Sequence, residues 1–125
     1  CMSDLPLNGL RILLMEDEAL IALDLEQLCR DSGADDVVVI RSLDQLDTAD
    51  DDHFHAAILD VMLSGNPTVD FARTLVTRRV PFIFATGYAD REELFTEFPS
   101  TPVVGKPYAG AELIRALAGA ITRTA

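Results

Sequence analysis

The chain of 125 residues has no tryptophan, one lysine and, apart from Cys1, one cysteine. A single thiol cannot close an internal disulfide. Cys29 falls on the apolar stripe of an expected helix and reads as buried and unreactive, and a reducing, cytoplasmic location is expected. Positive charge is scarce: 10 Lys and Arg against 21 Asp and Glu leave a net charge of −11. Such a surface has too little basic character to displace counterions from a phosphate backbone, which argues against nucleic-acid binding. No apolar run approaches the roughly 20 residues of a membrane span. The opening Met2-Ser3-Asp4-Leu5-Pro6 lacks the basic and then apolar segments of a secretory leader. Residues 1–8 are expected to be an N-terminal extension, with Cys1 a cloning remnant ahead of Met2.

What remains is a composition that folds. With 49% apolar residues the chain can bury a real core as one domain, expected over residues 9–123. Four short apolar runs each end in a polar group. Leu10-Arg11-Ile12-Leu13-Leu14-Met15 leads to Glu16-Asp17, and Ala56-Ala57-Ile58-Leu59 to Asp60. Pro81-Phe82-Ile83-Phe84-Ala85 leads to Thr86, and Pro102-Val103-Val104-Gly105 to Lys106. As parallel strands of one sheet, these runs deliver all their polar groups to the carboxyl edge, where open α/β sheets bind ligands.

Between them, Ile21, Leu25, Leu28, Cys29 and Ser32 recur at helical spacing, with Gly33 as a stop. Val37-Val38-Val39-Ile40 reads as a strand and Leu43 to Asp50 as a weak helix. Asn66-Pro67 is expected to cap a helix whose buried stripe is Val69, Ala72, Leu75 and Val76. Tyr88 to Phe98 is at best a short helix, and Leu113, Ile114, Leu117 and Ile121 mark the last one. Five strands alternating with five helices predict a doubly wound, three-layer α/β/α fold. The acidic group Asp44, Asp47, Asp50, Asp51 and Asp52 reads as a solvated helix end and loop. His53 and His55, without a third ligand nearby, are a weak metal signal.

The edge residues suit phosphoryl chemistry. An aspartate can attack phosphorus and form an acyl phosphate. Asp60 close to Glu16 and Asp17 would need a cation between the carboxylates, and Mg2+ prefers such oxygen ligands together with an incoming phosphate. Asp17 and Asp60 are expected as direct ligands, Glu16 partly through water, and the backbone carbonyl of Met62 as a further ligand. Lys106, the sole lysine, would supply fixed positive charge, and Thr86 a donor to a phosphoryl oxygen.

The set Glu16-Asp17-Glu18, Asp60, Thr86 and Lys106-Pro107 resembles the receiver domain of two-component response regulators (CheY-like), over about Gly9 to Ile121. The resemblance implies a flavodoxin-like (βα)5 fold and phosphorylation of Asp60 by a phosphohistidine on a sensor histidine kinase or histidine phosphotransfer protein. It also implies magnesium at the acidic set, reorientation of the Thr86 hydroxyl toward the phosphate, and a cis bond before Pro107. Two features depart from the common pattern. Val103 stands where receivers usually carry an aromatic switch residue, and Pro81 to Tyr88 resembles the signature of the atypical, often stand-alone "FAT GUY" receivers. Gly87, Tyr88 or Tyr108 would then carry the signal. The interval from Asp60 to Thr86 is also short for a receiver.

The reading is a phosphorelay receiver that catalyses only its own phosphorylation and dephosphorylation. It would signal through protein contacts or pass the phosphate on, with no membrane role; a weak or phosphorylation-dependent homodimer stays open. A flavodoxin would want a Ser/Thr/Gly-rich loop after the first strand. An aspartyl phosphatase would want a carboxylate where Met62 stands. The alternatives kept are a phosphorylation-independent scaffold or pseudo-receiver, and a receiver fragment of a larger regulator or hybrid kinase.

Overall fold

The computed structural model describes the backbone of residues 5–47, 53–87 and 91–124. In chain order the elements are β1 (Arg11–Met15), α1 (Ala19–Asp31), β2 (Asp36–Ile40), a 3-10 turn (Leu43–Asp47), β3 (Ala56–Leu59), β4 (Met62–Leu63) and β5 (Asn66–Pro67). They continue with α2 (Val69–Arg78), β6 (Phe82–Thr86), α3 (Arg91–Glu97), β7 (Val103–Gly105) and α4 (Gly110–Thr124). Five strands form one parallel sheet in the order β2-β1-β3-β6-β7, the flavodoxin-like winding. Among the described residues no helix is long and apolar enough to cross a membrane.

The continuous apolar strands are explained by helices on both faces. Successive side chains of a strand point to opposite faces, and the core divides accordingly. Ile12, Leu14, Ile58, Ile83 and Ala85 pack with Leu25 and Cys29 of α1 and Leu113 and Leu117 of α4. Leu13, Met15, Leu59, Phe82 and Phe84 pack on the other side with Ala72 and Leu75 of α2, Leu94 of α3 and Phe98. The Phe84 ring meets Phe82 and Phe98 edge-on, at centroid separations of 5.5 and 5.4 Å, an arrangement favoured by the ring quadrupoles. Burial pushes the Cys29 thiol up to about 12, so it stays protonated and inert.

Several local expectations are corrected. Asn66-Pro67 does not cap a helix: it pairs antiparallel with Met62-Leu63 in a small ribbon, turned by Ser64 (φ 49°) and Gly65 (φ 80°). Thr68 takes the N-cap position of α2 instead. Proline is compatible with both places because neither needs its N–H. Val76 is 55% exposed, so the buried stripe of α2 is narrower than its apolar residues imply. The weak helix after β2 is a 3-10 turn ending at Asp47, leaving four α-helices rather than five among the described residues. Leu7, within the expected N-terminal extension, is fully buried and its N–H donates to the Ser32 carbonyl at 2.9 Å. Asp50, Asp51, Asp52 and Tyr88 lie outside the described residues.

Phe84 is fully buried at the centre of the aromatic cluster. Phe84→Ala is therefore expected to lower unfolding free energy by about 3–5 kcal/mol, through lost burial and the residual cavity. Equilibrium urea unfolding measures this, and a loss below about 1 kcal/mol would contradict the packing.

Candidate functional site

Strand register assembles the site. Met15 is level with Leu59, and Leu59 with Phe84, while Thr86 is level with Gly105. The residues that follow β1, β3 and β7 therefore emerge at the same carboxyl edge, with β6 between β3 and β7. The Glu16 N–H donates to the Ile40 carbonyl at 3.1 Å and the Asp60 N–H to the Met15 carbonyl at 3.0 Å. Both acidic residues thus sit on backbone still tied to the sheet.

One potential ligand atom from each of Glu16, Asp17 and Asp60 lies within 4.8 Å of the others. Glu16 and Asp60 are buried and Asp17 is partly exposed. The Lys106 Nζ reaches across to donate to Glu16 Oε1 at 2.8 Å and to Asp60 Oδ2 at 3.0 Å. The second Glu16 oxygen accepts the Glu18 N–H at 3.0 Å. Asp60 Oδ1 is buried and has no hydrogen-bond partner among the described residues. An orphaned carboxylate oxygen within an all-oxygen acidic set fits a hard divalent cation. Met62 lines the same cleft, of about 590 Å³, with Ser64, Gly87 and Lys106. The Thr68 N–H donates to the Val61 carbonyl, so Met62 and Pro67 form a non-hydrogen-bonded pair of the ribbon and the Met62 carbonyl is directed away from Pro67.

Thr86 is buried at the end of β6, and its carbonyl accepts the Lys106 N–H at 2.8 Å. The hydroxyl-bearing and ammonium-bearing strands are thereby stitched together. The Lys106–Pro107 peptide bond is cis. Gly87 is exposed, and a Cβ there would meet only the Lys106 side chain, at 3.9 Å, so no steric demand explains this glycine. The Tyr108 hydroxyl is buried without a hydrogen-bond partner among the described residues. Burial pushes it up to about 12; the Lys106 charge opposes this, and the Glu16 and Asp60 charges add to it. His55 stands apart at the far end of β3, its Nδ1 accepting the Arg11 N–H at 2.9 Å.

Three residues at the site escape a reading of the sequence. Thr68 is fully buried, and its hydroxyl donates to the Asp60 carbonyl at 2.6 Å instead of capping α2. Arg41 donates to the Asp17 carbonyl, and Ser64 to the Asp17 carboxylate. The Ser64-Gly65 pair does carry a turn signal, but nothing local says that the turn faces Asp17.

Burial acts to lower the Lys106 pKa, but hydrogen bonds to Glu16 and Asp60 and their charges outweigh it, holding the ammonium well above its ordinary value. A lysine raised on folding contributes stability that is complete below its unfolded pKa of about 10.4 and is lost as pH rises through the folded value. The stability advantage of wild type over Lys106→Met should be level from about pH 7 to 10 and shrink above that. Denaturant unfolding across the alkaline range measures the difference, and a gap that widens there would contradict the assignment.

No family model matches the chain. The transcriptional regulatory protein PdtaR of Mycobacterium tuberculosis is 27% identical over 119 residues, covering 90% of this chain. This chain spans 57% of the length of that relative. Among solved structures, a sensor protein from Polaromonas sp. JS666 is 28% identical with a TM-score of 0.77, covering 92% of this chain and 98% of its own. The receiver domain of sensor histidine kinase PA1611 from Pseudomonas aeruginosa PAO1, solved with a magnesium ion coordinated in its active-site cleft, is 25% identical with a TM-score of 0.75. That match covers 91% of this chain and 98% of the other. The five-stranded parallel sheet, its winding order and its flanking helices are those of the CheY-like response regulator receiver fold.

Proposed function

We propose that this chain is a phosphoacceptor receiver that takes a phosphoryl group onto Asp60 from a phosphohistidine of a sensor kinase or phosphotransfer protein. The observation that carries this reading is the buried, unpartnered Asp60 Oδ1 beside two further carboxylates and one ammonium. In the transfer, an Asp60 carboxylate oxygen attacks phosphorus, the phosphorus–nitrogen bond breaks, and its electron pair stays on the donor imidazole. Glu16, Asp17, Asp60 and the Met62 carbonyl would hold Mg2+, which when bound offsets negative charge on the phosphoryl oxygens. The carboxylate cluster, and the magnesium held in the cleft of the Pseudomonas receiver, support this assignment.

In the proposed cycle, Lys106 leaves Asp60 Oδ2 to pair with a phosphoryl oxygen, and Thr86 turns its hydroxyl to a second one. The run Pro81 to Tyr88 supports the FAT GUY subtype, and with Val103 in the usual switch position Gly87, Tyr88 and Tyr108 would pass the signal to a protein partner in the cytoplasm. Tyr108 is the described aromatic best placed for this, because it follows the Lys106-Pro107 pair and its buried hydroxyl has no partner among the described residues. With Met62 two residues after Asp60, the chain lacks the acid that would turn over external phosphoesters.

Incubation with acetyl phosphate and Mg2+, read by phosphate-affinity electrophoresis and intact mass, should add one phosphoryl group that Asp60→Asn abolishes. Lys106→Ala should retain Mg2+ binding and lose most phosphorylation or its conformational readout. Wild type that neither gains mass nor responds to beryllofluoride would instead favour a phosphorylation-independent scaffold. Transfer profiling against histidine kinases then identifies the donor.

A further inference from the structure

Asp17 differs from its two acidic neighbours in how it is held. Glu16 and Asp60 are buried and bridged by Lys106, whereas Asp17 lies one residue farther out and is partly exposed. Its position is defined by a closed ring of hydrogen bonds between three loops. The Ser64 N–H donates to Asp17 Oδ2 at 2.6 Å, the Ser64 hydroxyl donates to the Arg41 carbonyl at 2.9 Å, and the Arg41 Nη2 donates to the Asp17 carbonyl at 2.9 Å. The ring thus joins the ends of β1 and β2 to the ribbon after β3.

Both partners are themselves held in place. Ser64 occupies the left-handed region at φ 49°, followed by Gly65 at φ 80°, the two-residue hairpin geometry in which both central residues have positive φ. That conformation disfavours an L side chain, and here it turns the Ser64 N–H toward Asp17. The Gln45 side-chain oxygen accepts the N–H groups of Arg41 and Ser42, fixing the turn from which Arg41 reaches back.

We infer that Arg41 and Ser64 are positioning residues for Asp17, orienting its carboxylate for a divalent cation before one arrives. This rests on the metal site of the proposed function. The Ser64 N–H bond to Oδ2 restrains rotation of the Asp17 carboxylate and leaves lone pairs available for a cation. Hydrogen-bonded partners that orient metal ligands typically affect affinity by about 10–100-fold when removed.

The sign of the effect separates positioning from simple charge. Arg41 is a cation near a cation site, so if its only influence were electrostatic, Arg41→Ala would tighten Mg2+ binding. Positioning requires the reverse. Calorimetric titration of MgCl2 into wild type, Arg41→Ala, Arg41→Lys and Ser64→Ala measures this without any phosphorylation. Circular dichroism verifies that each variant is folded. Arg41→Ala is expected to weaken Mg2+ binding about tenfold. Arg41→Lys, which keeps the charge and can still reach a carbonyl, should recover part of that loss. Ser64→Ala, which keeps the N–H and loses the hydroxyl, should weaken binding to a smaller extent. Mg2+ binding by wild type with unchanged or tighter binding by Arg41→Ala overturns the inference and leaves the proposed function standing. Wild type that binds no Mg2+ overturns both.

Discussion

Three carboxylates share the carboxyl edge of one parallel sheet, and their repulsion is the constraint on which the site depends. At about 5 Å and an effective dielectric of about 20, two unit negative charges repel by about 3.3 kcal/mol. The Lys106 ammonium offsets this by bonding to Glu16 and Asp60 at once. Such a bridge requires the end of β7 to stand close to the ends of β1 and β3, although β6 lies between β3 and β7. The Lys106 N–H to Thr86 carbonyl bond ties the last two strands together at the level where this reach is needed.

The supporting structure serves the same edge. Residues of β1, β3 and β6 are packed on both faces by helices, so strand register has little freedom to slip. Asp60 is restrained on both backbone groups: its N–H is bound by Met15 and its carbonyl by the buried Thr68 hydroxyl. Among the described residues its side chain is held on one oxygen, by Lys106. A rigid backbone with one carboxylate oxygen uncommitted among the described residues suits the proposed role of Asp60, which would react without moving its main chain. Asp17, the outermost acid, lacks that sheet support and relies on Arg41 and Ser64 from two other loops.

Much of this was legible along the chain because the signals are local. Short apolar runs of alternating packing, each followed by a polar residue, announce strands and the edge at which they end. Glu16, Asp17, Asp60, Thr86 and Lys106 could be named from those positions. Less legible was the segment from Met62 to Val69. Asn66-Pro67 satisfies the local preferences of a helix start, yet pairing with Met62-Leu63 places it in a ribbon and passes the cap position to Thr68. Thr68 itself looks like an ordinary capping threonine; its contact with Asp60 follows from the ribbon, whose pairing continues in the Thr68 N–H to Val61 carbonyl bond.

The sequence by itself determined the order of the five sheet strands, their two-sided burial and the identity of the acidic, hydroxyl and ammonium groups at the sheet edge. Periodicity and strand-end chemistry are properties of neighbouring residues, so they survive without three-dimensional context. The tertiary structure decided which of those groups touch, which carboxylate oxygen is left without a partner, and which loops brace Asp17. Those contacts link residues such as Glu16 with Lys106 and Asp17 with Ser64, far apart in the chain. Strand register and turn handedness set them, and neither is written in any single segment.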